Sequence, residues 1–231
     1  AEYDSDDWES EVSDLVEAAA ELDTLNACRQ LLRAARIVHH ESPASEDLEA
    51  ILRNALEFDP QNQEANYLVE RYLLAAEQGD ELFKLQQQRV YALPDEAAQA
   101  GLYRQLAAFW ESRGQDPERG AALYRRALQT CYDAGGVFPG HFVAAERVFA
   151  AYADKGIWEE LFALVDAGLA ADMPADEKVA LAGLAGSAAV TQAEDREKAA
   201  PYFAVLEQEA PSHEDFKRHV TGDVDDAPAE E

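Results

Sequence analysis

The chain has 231 residues, of which 48% are apolar and 29% are charged, and its formal net charge is −28. This apolar content is enough for a packed core and excludes a wholly disordered chain. The negative charge repels phosphate backbones and anionic lipid surfaces, so nucleic-acid binding and membrane binding are both disfavoured.

The surplus of acidic residues is concentrated at both ends of the chain. Residues 1–23 carry ten acidic residues and no basic one, and residues 222–231 carry five acidic residues and no basic one. Basic proteins or peptides are the electrostatic complement of such a chain. The alternative is that the acid serves solubility or a high-salt habitat, which the five lysines against 14 arginines would fit.

Several features bear on the cellular compartment. No stretch approaches the roughly 18 apolar residues of a membrane span, so no membrane insertion is expected. The start of the chain lacks the basic and apolar regions of a signal peptide. Cys28 and Cys131 are too few for a disulfide framework. A cytoplasmic location is favoured, although Ala1 in place of Met leaves open a signal peptide removed from a longer precursor.

The first two helices are predicted from apolar residues that recur at helical spacing. The stripe of the first helix is Trp8, Val12, Leu15, Val16, Ala19 and Leu22. A second stripe runs from residue 25 to residue 39, and Thr24 or Asn26 is expected to cap its helix.

Further helices follow at regular intervals. They are predicted at residues 46–58, 64–78, 81–92, 99–113, 118–132, 142–155, 158–171, 177–191 and 196–209, with a short closing helix at 213–220. Turns are expected at Gly79-Asp80 and at Gly156, and Gly114 is expected to cap a helix C-terminus. The sequence DAGGVFPG at 133–140 is the strongest break. Pro201 predicts that the helix around it begins late.

Prolines mark a repeat. Pro60 and Pro94 are 34 residues apart, Pro174 and Pro211 are 37 apart, and Pro139 precedes Pro174 by 35. Two helices per unit of this length are typical of an α-helical repeat array. The chain is therefore predicted to be all-α, an α-solenoid of about five antiparallel helix pairs that must stack to bury their apolar faces.

The pair at residues 99–132 resembles the tetratricopeptide repeat (TPR). The resemblance rests on Tyr103, Leu106, Ala107, Trp110, Gly114, Gly120, Tyr124 and Ala127, and the next pair is similar at Ala145, Val148, Tyr152, Gly156, Leu161 and Val165. It implies a right-handed superhelix over residues 27–211, between an acidic N-terminal helical segment at 1–26 and a closing helix with an acidic tail at 212–231. Gln86, Arg89 and Phe149 depart from the pattern.

In that family the first helix of each repeat lines a concave groove that holds a partner peptide or helix. The matching positions here are Arg33, His40, Tyr67, Arg71, Arg104, Glu111 and Glu146. The three arginines would form a basic streak suited to bidentate recognition of a carboxylate. The family's clamp of paired Lys and Asn is not expected, since Ile37 and Ala108 stand where Asn would be. The alternative is that the arginines pair with acids of neighbouring helices.

No catalytic, cofactor-binding or metal-binding residue is predicted. The side chains of His39 and His40 point about 100° apart on a helix, so they cannot converge on one metal ion. Gly135 and Gly140 have the spacing of a phosphate-binding loop, but His141-Phe142 replaces the required Lys-Ser/Thr.

These observations favour a non-enzymatic scaffold that binds another protein, including one with a basic segment. One alternative is that the chain is an architectural segment of a larger repeat protein. The other is an enzyme whose active site cannot be recognised from the sequence. The sequence leaves the identity of the partner and the oligomeric state open.

Overall fold

The computed structural model describes residues 7–210. Within this range the chain forms eleven α-helices, one turn of 3-10 helix at Ala153–Lys155 and no β-strand, which confirms the all-α prediction. The helices are α1 (Trp8–Ala19), α2 (Thr24–Glu41), α3 (Glu46–Phe58), α4 (Gln63–Ala75), α5 (Gly79–Tyr91), α6 (Glu96–Ser112), α7 (Pro117–Asp133), α8 (His141–Tyr152), α9 (Trp158–Ala170), α10 (Ala175–Thr191) and α11 (Arg196–Glu209). The predicted closing helix at 213–220, the acidic tail, Pro211 and residues 1–6 lie outside the described residues.

Short polar side chains explain where many of the helices begin. A residue immediately before the helix accepts a hydrogen bond from a backbone N–H of the first turn, which would otherwise lack a partner. Six helices have such a cap, supplied by Asp23, Ser45, Asn62, Asp95, Asp116 and Asp195. The starts of these helices are thus determined by local sequence and do not require a tertiary contact.

The chain divides between Ala92 and Leu93 into two compact units. In unit 1, the helices pack in chain order, with α1 against α2, α2 against α3, α3 against α4 and α4 against α5. The predicted pairs α2–α3 and α4–α5 are therefore present, and α1 covers the outer side of α2.

Unit 2 contains the helices from α6 to α11. The pairs α6–α7 and α10–α11 are in close contact, as predicted. Helices α8 and α9 each pack against both α7 and α10, and they meet each other through the rings of Phe149 and Phe162, whose centroids are 6.4 Å apart. The helix pairs of unit 2 are thus stacked, with α7 and α10 on either side of α8 and α9.

Small residues let these helices approach closely. Buried alanines occur in nearly every helix interface, and several have no exposed surface, among them Ala27, Ala35, Ala55, Ala107 and Ala127. Glycines mark the tightest contacts, since a side chain on Gly120 would lie 2.8 Å from Glu111 Cγ, and one on Gly186 would lie 3.2 Å from the Phe203 ring. Small residues of one helix therefore lie against large residues of its neighbour at these contacts.

Two predicted caps and one predicted turn are wrong. Asp23 caps α2, not Thr24 or Asn26, because its carboxylate accepts the Asn26 N–H at 3.1 Å. Helix α5 already begins at Gly79, and the chain turns at Glu77, whose φ is 57°. After α6 the left-handed residue is Gln115, with a φ of 50°, instead of Gly114. Gly114 is needed for a different reason, since any side chain there would overlap the Trp110 ring.

Helix α11 has the predicted bounds, but it does not begin late to accommodate Pro201, which lies inside it. Its first residue is Arg196, and Asp195 caps it by accepting the Lys198 N–H at 2.9 Å. The local cap therefore decides where the helix begins, and proline is tolerated at an interior position.

Replacing Gly168 of α9 with Ala should destabilise the chain. The new Cβ would lie 2.8 Å from Leu181 Cδ2 and 2.9 Å from the Tyr132 ring. Overpacking costs about 1–3 kcal/mol, and Ala recovers up to about 1 kcal/mol of helix propensity, so the melting temperature should fall by about 2–6 °C in calorimetry.

The matched control is Gly101→Ala in α6, where a new Cβ would meet nothing within 4 Å. This variant gains helix propensity without a clash, so its melting temperature should stay the same or rise. Equal melting temperatures for the two variants would contradict the packing described for Gly168.

Candidate functional site

The seven predicted groove residues lie on first helices of the pairs. In unit 1, Arg33 and His40 are on α2, and Tyr67 and Arg71 are on α4. In unit 2, Arg104 and Glu111 are on α6, and Glu146 is on α8.

Arg33 makes an ion pair within unit 1. Its Nη2 lies 2.6 Å from Glu11 Oε1 of α1, and the Arg33 side chain is 58% exposed. Arg33 therefore pairs with an acid of a neighbouring helix, which was the alternative to a free basic streak. An exposed ion pair of this kind contributes about 0–1 kcal/mol to the free energy of unfolding. A partner carboxylate could therefore compete with Glu11 for this arginine.

Tyr67 and Arg71 form a pair on the surface of α4. The Arg71 guanidinium carbon lies 5.7 Å from the centroid of the Tyr67 ring, and Arg71 Nη1 donates to the Tyr67 hydroxyl at 3.3 Å. Tyr67 is 47% exposed. The four-residue spacing places both side chains on one face of the helix, where they present an aromatic ring and a cation together to solvent.

An ion pair that the sequence analysis missed joins the exposed faces of α2 and α4. Arg36 donates from Nε and Nη2 to the two carboxylate oxygens of Glu64, each at 2.6 Å. This bidentate contact raises the pKa of Arg36 and lowers the pKa of Glu64. Arg36 follows Arg33 by three residues, a spacing that puts both on one helix face, so the sequence indicated the position of Arg36 but not its partner Glu64.

We call these residues together the first-helix surface of unit 1. It comprises Arg33, Arg36 and His40 of α2 and Glu64, Tyr67 and Arg71 of α4. On each helix the three residues follow one another at intervals of three or four, so they share a face. His40 is exposed and its Nδ1 lies 2.8 Å from Glu41 Oε1.

In unit 2, Arg104 contacts the connection between α7 and α8. Its Nη1 donates to the Pro139 carbonyl at 3.2 Å, and its guanidinium carbon lies 5.4 Å from the centroid of the Phe138 ring. Arg104 thereby packs against the segment 133–140, the break predicted from its glycines and prolines.

Glu111 belongs to a charged cluster that spans three helices. It accepts from Arg147 of α8 and from the Tyr124 hydroxyl of α7, the latter at 3.3 Å. Arg147 also lies over the Tyr124 ring, 5.5 Å from its centroid. The contact with Glu111 raises the pKa of Arg147. Arg147 was not predicted, and Glu146 beside it is exposed.

A buried polar network in unit 2 was also missed. His141, which is 1% exposed, bridges three helices: its Nδ1 lies 2.9 Å from the Tyr132 hydroxyl of α7 and its Nε2 lies 3.0 Å from Glu177 Oε2 of α10. Burial raises the pKa of Tyr132, which keeps its hydroxyl protonated as a hydrogen-bonding group at neutral pH. No local pattern signals this network, since Glu177 is 36 residues away in the chain.

The described side chains, which exclude that of Asp154, contain no group of three or more His, Cys, Asp or Glu placed to hold a metal ion. Cys28 and Cys131 are free thiols, and burial raises the pKa of both. Within residues 7–210, no helix combines the length and the apolar character that a membrane span requires.

Comparisons with known proteins give likenesses of fold. No protein-family model matches the sequence, and no curated protein matches it. Among solved structures, BtubC (BKLC) from P. vanneervenii has 15% sequence identity and a TM-score of 0.36, with 97% of this chain and 96% of that chain covered. PilF of Pseudomonas aeruginosa has 12% identity and a TM-score of 0.33, with 93% of this chain and 99% of that chain covered.

Structural similarities this weak do not identify a function. The chain's own helices, packed in adjacent pairs through alternating large and small residues, are those of a TPR-like helical repeat protein, as the sequence predicts.

Replacing His141 with Ala should destabilise unit 2 strongly. The change opens a cavity and leaves the buried Tyr132 hydroxyl without its partner, and such losses together cost about 2–4 kcal/mol. Urea unfolding followed by circular dichroism measures the difference.

Glu177→Gln is the matched control, because the amide keeps a hydrogen-bonding oxygen near His141 Nε2 and Glu177 is 37% exposed. Its cost should stay below about 1 kcal/mol. If both variants lost the same stability, the network would not hold the helices as described.

Proposed function

We propose that this chain is a non-enzymatic scaffold that binds a segment of another protein on the first helices of its repeats. The observation that carries the proposal is the exposed pair of Tyr67 and Arg71. Interfaces are enriched in Tyr and Arg at the positions that contribute most to binding. Here both lie on one face of a helix whose opposite face is buried in unit 1.

The surroundings of this pair support a binding role. The first-helix surface of unit 1 has three arginines and one glutamate, so it is locally basic in a chain of net charge −28. Its arginines can pair with a carboxylate of the partner, while the Tyr67 ring offers apolar contact area. The Arg36–Glu64 ion pair joins the two helices at the surface, both helices pack against α3, and a surface held on packed helices loses little entropy on binding.

Unit 2 repeats the arrangement with its own residues. The Glu111–Arg147 ion pair connects the first helices α6 and α8, as Arg36–Glu64 connects α2 and α4. An ion pair thus joins the exposed faces of the two helices that carry Arg104, Glu111 and Glu146. We propose that this surface also contacts a partner segment.

The acidic exterior adds a long-range attraction for partners with a basic segment. Exposed acids on α1 and its flanks include Asp7, Glu9, Asp14, Glu17 and Glu21. Salt screens this attraction, because the Debye length is about 10 Å at 0.1 M and about 3 Å at 1 M. A partner held by it should be lost from the immobilised chain when salt rises from about 0.1 M to about 0.5 M, whereas contacts with Tyr67 should survive.

The double variant Tyr67→Ala, Arg71→Glu should lose the partner. Removing two central contact residues of an interface typically costs more than about 2 kcal/mol, so retention should fall at least about tenfold. The measurement is a pull-down from a lysate of the source cells, with quantitative mass spectrometry of the proteins retained by wild type and variant.

The matched control is Tyr91→Ala, Arg126→Glu. Both of these side chains are exposed, and they lie on α5 and α7, outside the proposed surfaces. The control should retain every protein that the wild type retains. If the two double variants retained the same proteins in the same amounts, the proposed surface would be wrong, and a role as an architectural spacer would be favoured.

A further inference from the structure

A cavity of about 280 Å³ opens on unit 1, and its lining residues, which include Asn66 of α4, are different from the residues of the first-helix surface. Its wall is formed mainly by α3, α5 and the connection from α3 to α4. Apolar atoms come from Leu56, Pro60, Leu85 and Ala92. Ligand-binding pockets usually have about 300–1,000 Å³, so this cavity is of a size to take one amino-acid residue or a small organic acid.

Two arginines line the cavity, and only one of them is already neutralised. Arg53 donates from Nε to Glu49 Oε1 at 2.7 Å, and its Nη2 lies 3.8 Å from Glu81 Oε2. Arg89 is half-buried, its Nε donates to Gln61 Oε1 at 3.2 Å, and within residues 7–210 no carboxylate forms an ion pair with it. Arg89 therefore keeps the two terminal nitrogens of its guanidinium available.

The neighbouring residues hold Arg89 in place. Gln61 donates from its Nε2 to the Arg89 carbonyl at 2.8 Å, so a single amide contacts both the backbone and the side chain of the arginine. Burial lowers the pKa of Arg89, and the nearby Glu70 offsets part of that effect. A partly dehydrated guanidinium that forms no ion pair gains free energy from an incoming anion.

We propose that this cavity binds a carboxylate carried on an apolar stem, with the carboxylate on the Arg89 guanidinium and the stem against Leu56, Leu85 and Pro60. A planar guanidinium pairs with a carboxylate through two parallel hydrogen bonds. The free C-terminus of a chain and the side chain of Asp or Glu both have this chemistry.

The acidity of the chain shapes the selectivity of the site. A net charge of −28 repels anions at long range, so binding depends on the contacts inside the cavity. Glu57 is the acid in the cavity lining, and it is exposed. Its repulsion should weaken carboxylate binding, and its removal should strengthen it.

The test uses the full chain and small probes of defined charge. N-acetyl-leucine carries a free α-carboxylate, N-acetyl-leucinamide is its neutral analogue, and N-acetyl-glutamic acid α-amide carries only a side-chain carboxylate. Binding is followed by NMR, from the ¹H–¹⁵N resonances of the Arg89 Nε and the Gln61 side-chain amide. We expect both acids to shift these resonances to saturation and the neutral amide to bind at least about tenfold more weakly. The tighter of the two acids identifies the source of the carboxylate.

Two variants complete the test. Arg89→Gln removes the charge and should abolish the difference between acid and amide, whereas Glu57→Gln should tighten binding of the acids and leave the amide unchanged. Arg126→Gln is the control, since that arginine is exposed on α7, outside both the cavity and the proposed binding surfaces, and this variant should bind the probes as the wild type does.

The proposal is overturned if acid and amide bind equally, if no probe shifts the Arg89 and Gln61 resonances, or if Arg89→Gln binds the acids as tightly as the wild type does. None of these results depends on a partner at the first-helix surface.

Discussion

Close approach of neighbouring helices through small residues is the constraint on which the rest of the structure depends. A pair of amphipathic helices cannot bury its apolar faces alone, so each pair must stack on the next. Alanine and glycine at the contacts allow that stacking, and aromatic rings fill the remaining space. Tyr132 shows the principle best, because its ring contacts Gly168 of α9 while its hydroxyl binds His141. Three helices of unit 2, α7, α8 and α9, thereby meet at one side chain.

This packing leaves the polar faces of the first helices α2 and α4 exposed. The second helices and the neighbouring pairs take the apolar side, so the polar side of α2 and α4 carries Arg33, Tyr67 and Arg71 at helical spacing. The ion pairs Arg36–Glu64 and Glu111–Arg147 then set the separation of successive first helices at the surface. Stability and the proposed binding thus involve opposite faces of the same helices, and a change on the exposed face need not damage the buried one.

Much of the fold could be predicted from the sequence because its signals are local. The helices at 46–58 and 196–209 have the predicted bounds, since Ser45 and Asp195 cap them. The contacts that link distant residues could not be predicted. Nothing near Arg36 in the chain indicates that Glu64 is its partner, and His141 reads as an isolated histidine beside a glycine-rich loop. Arg89 was noticed only as a departure from the repeat pattern, and its cavity exists because of how three helices meet.

The central claim is that a partner protein contacts the first-helix surface of unit 1. Hydroxyl-radical footprinting of the partner-bound chain tests it most directly, because the exposed rings of Tyr67 and Tyr91 report on two separate surfaces, with exposures of 47% and 63% in the free chain. Our account predicts that the partner protects Tyr67 from oxidation and leaves Tyr91 as reactive as before. Protection of Tyr91 with Tyr67 unchanged would contradict it.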